Sequence, residues 1–237
     1  MRQVVVALVL ALLATPLHAQ TRKPAAPKRP APARRAPTPP PLTRVPATLV
    51  CPSELGDGVT TKRRFCDVLT GRDPKDGIVV TIPPHVGTAT LSFEVHNRHT
   101  YSAELVARKT AYRHYTATIG VLLADGTLVD RAVIDSEVRS DKDLFDRIGG
   151  GAGPGGVKAV APAGSEFVQF TLPESALEAS VLGEKLTMVR PDGTDQFTAP
   201  GRPVATISNV MIEYRPAPAP KTPVKPAAKP GAKSPVK

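Results

Sequence analysis

The acidic residues of this 237-residue chain are confined to its centre, and this separation of charge limits which part of the chain can fold. All 21 Asp and Glu lie between residues 47 and 214. Residues 20–46 contain seven Lys and Arg with nine Pro, and residues 215–237 contain six Lys and Arg with seven Pro. Segments of this composition bury too little apolar surface to offset the entropy lost on ordering. We therefore expect two disordered basic tails, 20–46 and 215–237, on either side of one folded domain at 48–214.

The predicted domain has the period-two alternation of half-buried β-strands. Leu91, Phe93 and Val95 alternate with Ser92, Glu94 and His96, and Ala117 to Leu123 repeat the pattern. Asp125-Gly126 is a hairpin turn signal that separates this strand from Leu128 to Ile134. The other predicted strands are Ile78 to Ile82, Tyr101 to Arg108, Val157 to Ala161, Glu166 to Leu172, Lys185 to Val189 and Val204 to Tyr214.

One short helix is predicted among these strands. Ser140 can cap Asp141 to Ile148, whose acidic first turn suits the helix dipole. Glu174 to Leu182 fits either a second short helix or a further strand. The expected fold class is all-β, a single antiparallel β-sandwich of jelly-roll or immunoglobulin-like type with one short helix and disordered tails.

The first 19 residues have the parts of a secretory signal peptide, with Arg2, an apolar run from Val4 to Leu13 and Pro16 shortly before a predicted cleavage after Ala19. The run is too short for a permanent transmembrane helix. No Cys follows the signal to receive a lipid. We expect an exported protein, periplasmic or extracellular, that is at most peripheral to a membrane.

Export decides how the two cysteines are interpreted. Cys51 and Cys66 lack C-x-x-C spacing and a second Cys pair, so an oxidising compartment favours a disulfide over a metal site. Two independent reactive thiols are the alternative.

The tails predict electrostatic attachment to a polyanion such as anionic envelope lipid, cell-wall polymer or acidic polysaccharide. The predicted contact residues are Arg22, Lys23, Lys28, Arg29, Arg34, Arg35, Lys221, Lys225, Lys229, Lys233 and Lys237. A solubilising linker is the alternative. Nucleic acid is not expected as a partner, because the chain is exported and no aromatic residue interleaves the basic ones.

Histidines suggest a second kind of site. Glu94 and His96 are predicted on the solvent face of one strand and His114 on that of another, so neighbouring strands would bring the two histidines together as metal ligands. A solvated cationic face explains the same residues. We therefore predict no metal and no cofactor.

Two other functions stay open. A glycan-binding module would use Tyr101 and Tyr112 as stacking platforms, beside His96 and His114 in a polar cleft. A hydrolase or metal-dependent enzyme has no motif in its favour, because G-x-S-x-G and H-E-x-x-H are absent from the sequence. The leading hypothesis is a non-catalytic, envelope-associated adaptor or structural protein.

Overall fold

The computed structural model describes residues 39–97, 104, 107–109, 114–137, 144–151 and 162–218. They form two antiparallel six-stranded sheets packed face to face, which confirms the predicted β-sandwich. The first, called the β12 sheet, contains β1 (Thr43–Pro46), β3 (Glu54–Asp57), β4 (Arg64–Leu69), β6 (Ala89–Asn97), β9 (Ala163–Leu172) and β12 (Pro203–Tyr214). The second, called the β10 sheet, contains β2 (Thr48–Val50), β5 (Ile78–Thr81), β7 (His114–Leu123), β8 (Leu128–Ser136), β10 (Glu178–Arg190) and β11 (Gly193–Phe197). A 3₁₀ helix, Pro74–Asp76, precedes β5.

The strand order decides between the two predicted topologies. The β12 sheet runs β3-β4-β12-β6-β9, with β1 beside β12, and the β10 sheet runs β2-β5-β10-β7-β8, with β11 beside β10. From β4 onward the longer strands alternate between the sheets, apart from the β7–β8 hairpin. The four longer strands of the first sheet have the order β4-β12-β6-β9, and those of the second have the order β5-β10-β7-β8. This pair of strand orders is that of a jelly roll.

The core lies between the sheets and follows the predicted alternation. Leu91, Phe93 and Val95 of β6 are buried in it, as are Ala117, Ile119 and Val121 of β7. Phe93 stacks on Phe170 of the neighbouring β9, with ring centroids 5.8 Å apart. Tyr115, at the start of β7, is buried in the same core.

The helix predicted at Asp141 to Ile148 is wrong over its described part. Leu144 and Ile148 form isolated β-bridges with Ala163 and Gly58. The N–H of Phe145 donates to the carbonyl of Pro162. Long-range backbone bonding outweighs the local helix signal here, and Asp141 to Asp143 lie outside the described residues.

Two other segments differ from, or complete, the predictions. Glu104 and Ala107 are helical, so the strand predicted at Tyr101 to Arg108 is wrong where it is described. The Arg108 guanidinium pairs with Glu104 at 2.5 Å, an i,i+4 contact that favours a helical turn. The ambiguous segment Glu174 to Leu182 is a turn followed by β10, which is the strand alternative. The strand predicted at Val157 to Ala161 lies outside the described residues.

The folded domain extends further in both directions than predicted. Thr43–Pro46, assigned above to the N-terminal tail, forms β1 and pairs with Met211 to Tyr214. Proline is tolerated in β1 because this strand lies at an edge, where its missing N–H breaks no ladder. Beyond Tyr214, the N–H of Val86 donates to the carbonyl of Arg215, and the N–H of Ala217 donates to the carbonyl of Pro84.

The predicted disulfide is present between Cys51 and Cys66, whose Cα atoms are 5.9 Å apart. Both cysteines of the chain are therefore paired, and the alternative of two reactive thiols is wrong. The bond is compatible with an oxidising compartment. Within the described ranges, no helix has the length and apolar character that crossing a bilayer requires.

Candidate functional site

The outer face of the β12 sheet carries a small apolar cluster and a network of buried polar groups. A segment that we call the strap, Leu144–Gly149, lies across it. The strap carbonyl of Arg147 accepts from the N–H of Val59 at 2.8 Å, and the N–H of Gly149 donates to the carbonyl of Asp57 at 2.9 Å. Apolar side chains fill the space beneath the strap as a second small core, namely Leu55, Phe65, Phe145 and Ile148.

Asp146 fastens the strap to the β3–β4 hairpin. Its carboxylate accepts hydrogen bonds from the N–H of Thr60 at 3.0 Å, from the N–H of Thr61 at 2.7 Å and from the hydroxyl of Thr61 at 2.5 Å. The N–H of Arg147 is a fourth donor. Burial by itself would raise the pKa of Asp146, but these donors stabilise the anion and lower the pKa to about 2. The carboxylate is therefore charged, buried and fully engaged.

His96 lies beneath the strap and not in solvent, so the solvent-facing position predicted for it is wrong. Its side chain is 1 % exposed, and its ring centroid is 4.5 Å from that of Phe145. Nδ1 is 2.6 Å from the carbonyl oxygen of Gly164, which can only accept, so Nδ1 carries the proton. Nε2 then accepts from the hydroxyl of Ser208 at 2.8 Å. Burial lowers the pKa of His96 and keeps the ring neutral.

A serine hydroxyl bonded to a neutral imidazole has the chemistry of an activated nucleophile. Ser208, however, is 1 % exposed and lies on β12 in the middle of its sheet. The hydroxyl is therefore closed off from solvent in this structure. The hydrogen bond between His96 and Ser208 links β6 to β12.

Glu94 completes the network at the margin of the strap. Its carboxylate accepts from Arg63 and Ser165 at 2.7 Å each and from the amide of Asn209 at 2.9 Å. Burial opposes ionisation of Glu94, and the bonds from Ser165, Asn209 and Arg63 outweigh it, so its pKa is lowered. Asn209 reaches this position from a bulge in β12, where it adopts a φ of 52°.

The structure does not bring the two predicted histidines onto neighbouring strands. His96 lies on β6 in the β12 sheet, whereas His114 lies on β7 in the β10 sheet, 3.5 Å from Asp135. Across the residues that the structure covers, no group of three or more His, Cys, Asp or Glu is arranged to hold a metal ion. Tyr101 and Tyr112, the predicted glycan platforms, lie outside the described residues.

The two tails leave the sandwich side by side. β1 pairs with the last four residues of β12, so Thr43 lies opposite Tyr214. The Arg215 guanidinium donates to the carbonyl of Pro40 at 2.7 Å, which holds together the backbone just outside these strands. The eleven basic residues predicted to bind a polyanion all lie outside the described part of the chain.

Three features of this face and its surroundings were not predicted from the sequence: Asp146 as a tertiary anchor, Ser208 as the partner of His96 and the adjacency of the tails. Asp146 had no signal of its own, because it lies inside the segment that was predicted to be a helix, Asp141 to Ile148. Ser208 had none, because its partner is 112 residues away.

Comparison with known proteins identifies no relative: no family model, no curated protein and no solved structure matches this chain. Its class is therefore defined by topology, as a disulfide-linked jelly roll with a sealed polar network on one outer face.

Proposed function

We propose that this protein is a non-catalytic, exported jelly roll that its basic tails hold on an anionic polymer of the cell envelope. The observation that carries the proposal is the separation of charge. From here on, the tails are residues 20–38 and 219–237, since the structure describes residues 39–46 and 215–218 with the folded domain. The tails contain eleven basic residues and no acid, whereas residues 39–218 contain 19 basic and 21 acidic residues. A polyanion attracts the tails and is weakly repelled by the body, so electrostatics assigns binding to the tails.

Export is supported by two independent features. The N-terminal 19 residues have signal-peptide character, and the Cys51–Cys66 disulfide suits an oxidising compartment. The non-catalytic role is supported by the sealed state of the His96–Ser208 pair, since a hydrolase must expose its nucleophile to substrate.

Retention on isolated envelopes tests the proposal. Replacing all eleven tail cations by Gln keeps the chain length, and we expect this variant to wash off where the wild-type protein stays bound. Wild-type retention should weaken as salt is raised from about 50 mM to 500 mM, because salt screens exposed charges over a shorter distance. The matched control changes the five C-terminal Lys to Arg, which keeps the charge, and it should be retained.

Salt-insensitive retention of the Gln variant would contradict the proposal. That result would instead favour recognition by the jelly roll itself, as in a glycan-binding module.

A further inference from the structure

We infer that the two tails act together as one bivalent anchor for a single linear polyanion, because both leave the same end of the sandwich. This inference rests on the proposed function and adds to it the number of binding elements, their common origin and the linear form of the partner.

The common origin of the tails is built into the sheet. β1 begins and β12 ends at paired positions, Thr43 and Tyr214. On the outer side of this pair, Pro216 forms an isolated bridge with His85 in the β5–β6 connection, and the N–H of Ala217 donates to the carbonyl of Pro84. Together with the bond from Arg215 to Pro40, these contacts fix both points of departure on one rigid element.

The opposite end of the molecule is far from these points. β12 starts at Pro203, which pairs with Leu69, and it runs for 12 residues before it reaches Tyr214. At about 3.4 Å per residue the two ends of this strand are about 40 Å apart. A tail that left from the far end would start this distance away from its partner.

The spacing of the tail cations suits a linear partner with evenly repeated charges. The C-terminal lysines recur at every fourth residue, from Lys221 to Lys237. The N-terminal cations come in doublets at every sixth residue, at 22–23, 28–29 and 34–35. In an extended proline-rich chain of about 3.1 Å per residue, these periods correspond to about 12 Å and about 19 Å. One small anion would meet only one cation or doublet, whereas a polymer meets many.

Adjacent origins raise the strength of binding without any new contact. Once one tail has bound a polymer, the other is held near the same chain at a high effective concentration. Two tails that bound separate polymers would give only a statistical, twofold gain.

Linear polyphosphate of about 30 phosphates is the probe, with tripolyphosphate as the short control. Affinities are measured by titration calorimetry for wild type, for the variant with six N-terminal cations changed to Gln, and for that with five C-terminal lysines changed to Gln. We expect wild type to bind the long polymer at least tenfold more tightly than either variant, with one polymer per protein. With tripolyphosphate, which is too short to reach both tails, the affinity of wild type should exceed that of either variant by only about twofold.

Moving a tail tests whether the common origin matters. In the relocated variant, residues 20–38 are removed from the N-terminus and inserted between Asp192 and Gly193, in the β10–β11 turn at the far end. Charge and composition are unchanged, and we expect the affinity for the long polymer to fall to the single-tail value. The matched control inserts the same segment with its six cations as Gln into the wild-type chain, and its affinity should equal that of wild type. Thermal unfolding confirms that both proteins are folded.

The outcomes separate the two proposals. The bivalent anchor is refuted, and the proposed function stands, if both tails bind but wild type binds the long polymer no more than about twofold more tightly than the single-tail variants. Binding of two polymers by one wild-type protein has the same meaning. Wild-type affinity in the relocated variant also refutes the bivalent anchor. If the relocated variant fails to fold, the stoichiometry of polymer binding and its dependence on polymer length decide whether the bivalent anchor stands. If the gain appears on anionic phospholipid vesicles and not on polyphosphate, the linear partner is wrong. If wild type binds neither probe, both proposals fail.

Discussion

At the scale of single residues, the buried polar groups on the outer face of the β12 sheet depend mainly on partners that are distant in sequence. Asp146 is the clearest case, because its buried carboxylate meets donors 85 and 86 residues away. A buried anion without such donors would be strongly destabilising. These bonds hold the strap at the position where Thr60 and Thr61 face it.

Asp146→Asn is expected to destabilise the fold by about 2 kcal/mol at pH 7, since the amide cannot accept all four bonds. The folded-state pKa of about 2 lies below the ordinary aspartate pKa of 3.8, so the stabilisation is present above about pH 4 and is lost as pH falls towards 2. Urea unfolding should show that the difference in unfolding free energy between wild type and Asp146→Asn is smaller at pH 3 than at pH 7. Asp130→Asn, at an exposed position, should behave as wild type at both pH values, and an unchanged unfolding free energy for Asp146→Asn at pH 7 would contradict the anchoring role.

The burial of His96 predicts a second pH dependence of stability, which arises from a buried base and not from a buried acid. Because burial lowers the pKa of the folded imidazole, only the unfolded chain takes up a proton as pH falls through about 6.5. Stability should decline below this pH until the folded-state pKa is reached. We expect His96→Gln to show a shallower decline in Tm between pH 7.5 and 5.5 than wild type. Equal slopes in the two proteins would count against a neutral, buried His96.

At the scale of elements, the disulfide links one sheet to the other. Cys51 directly follows β2 in the β10 sheet, and Cys66 lies within β4 in the β12 sheet. The chain passes from β1 in one sheet to β2 in the other through the single residue Ala47. The bond therefore holds together an edge at which the sandwich has only short strands.

Removing this bond by Cys51→Ser with Cys66→Ser is expected to cost about 3 kcal/mol, from the unfolded-state entropy of a loop of this size. Urea unfolding of the double variant and of wild type under oxidising conditions measures the difference. Adding a reductant should lower the stability of wild type and leave the double variant unchanged. If the two proteins unfold at the same urea concentration, the link between the sheets contributes nothing.

At the scale of the whole molecule, stability and attachment belong to different parts of the chain. The core, the strap and the disulfide all lie within residues 39–218, whereas the proposed binding charges all lie outside them. Changes to surface charge away from packed features move stability by no more than about 0.5 kcal/mol.

The variant with all eleven tail cations changed to Gln should therefore unfold within about 0.5 kcal/mol of wild type while losing attachment to envelopes. Differential scanning calorimetry at low salt provides the comparison, and the charge-preserving Lys→Arg variant is its control. A large loss of stability in the Gln variant would show that the tails pack on the sandwich, against the division of roles.

Local patterns in the sequence were enough to predict the sheet-based body, its inward-facing residues on β6 and β7, the cysteine pair and the location of excess positive charge. Period-two alternation, cysteine spacing and composition are local or additive signals, so they can be read without knowing what lies opposite. The folded structure was needed to establish the jelly-roll order, the path of the strap, the covering of His96 and the shared origin of the tails. Each of these depends on residues far apart in sequence. Asp146 bonds to Thr60 and Thr61 in place of forming a helix. Phe145 covers His96, which the alternation had predicted to face solvent, and Thr43 pairs with Tyr214.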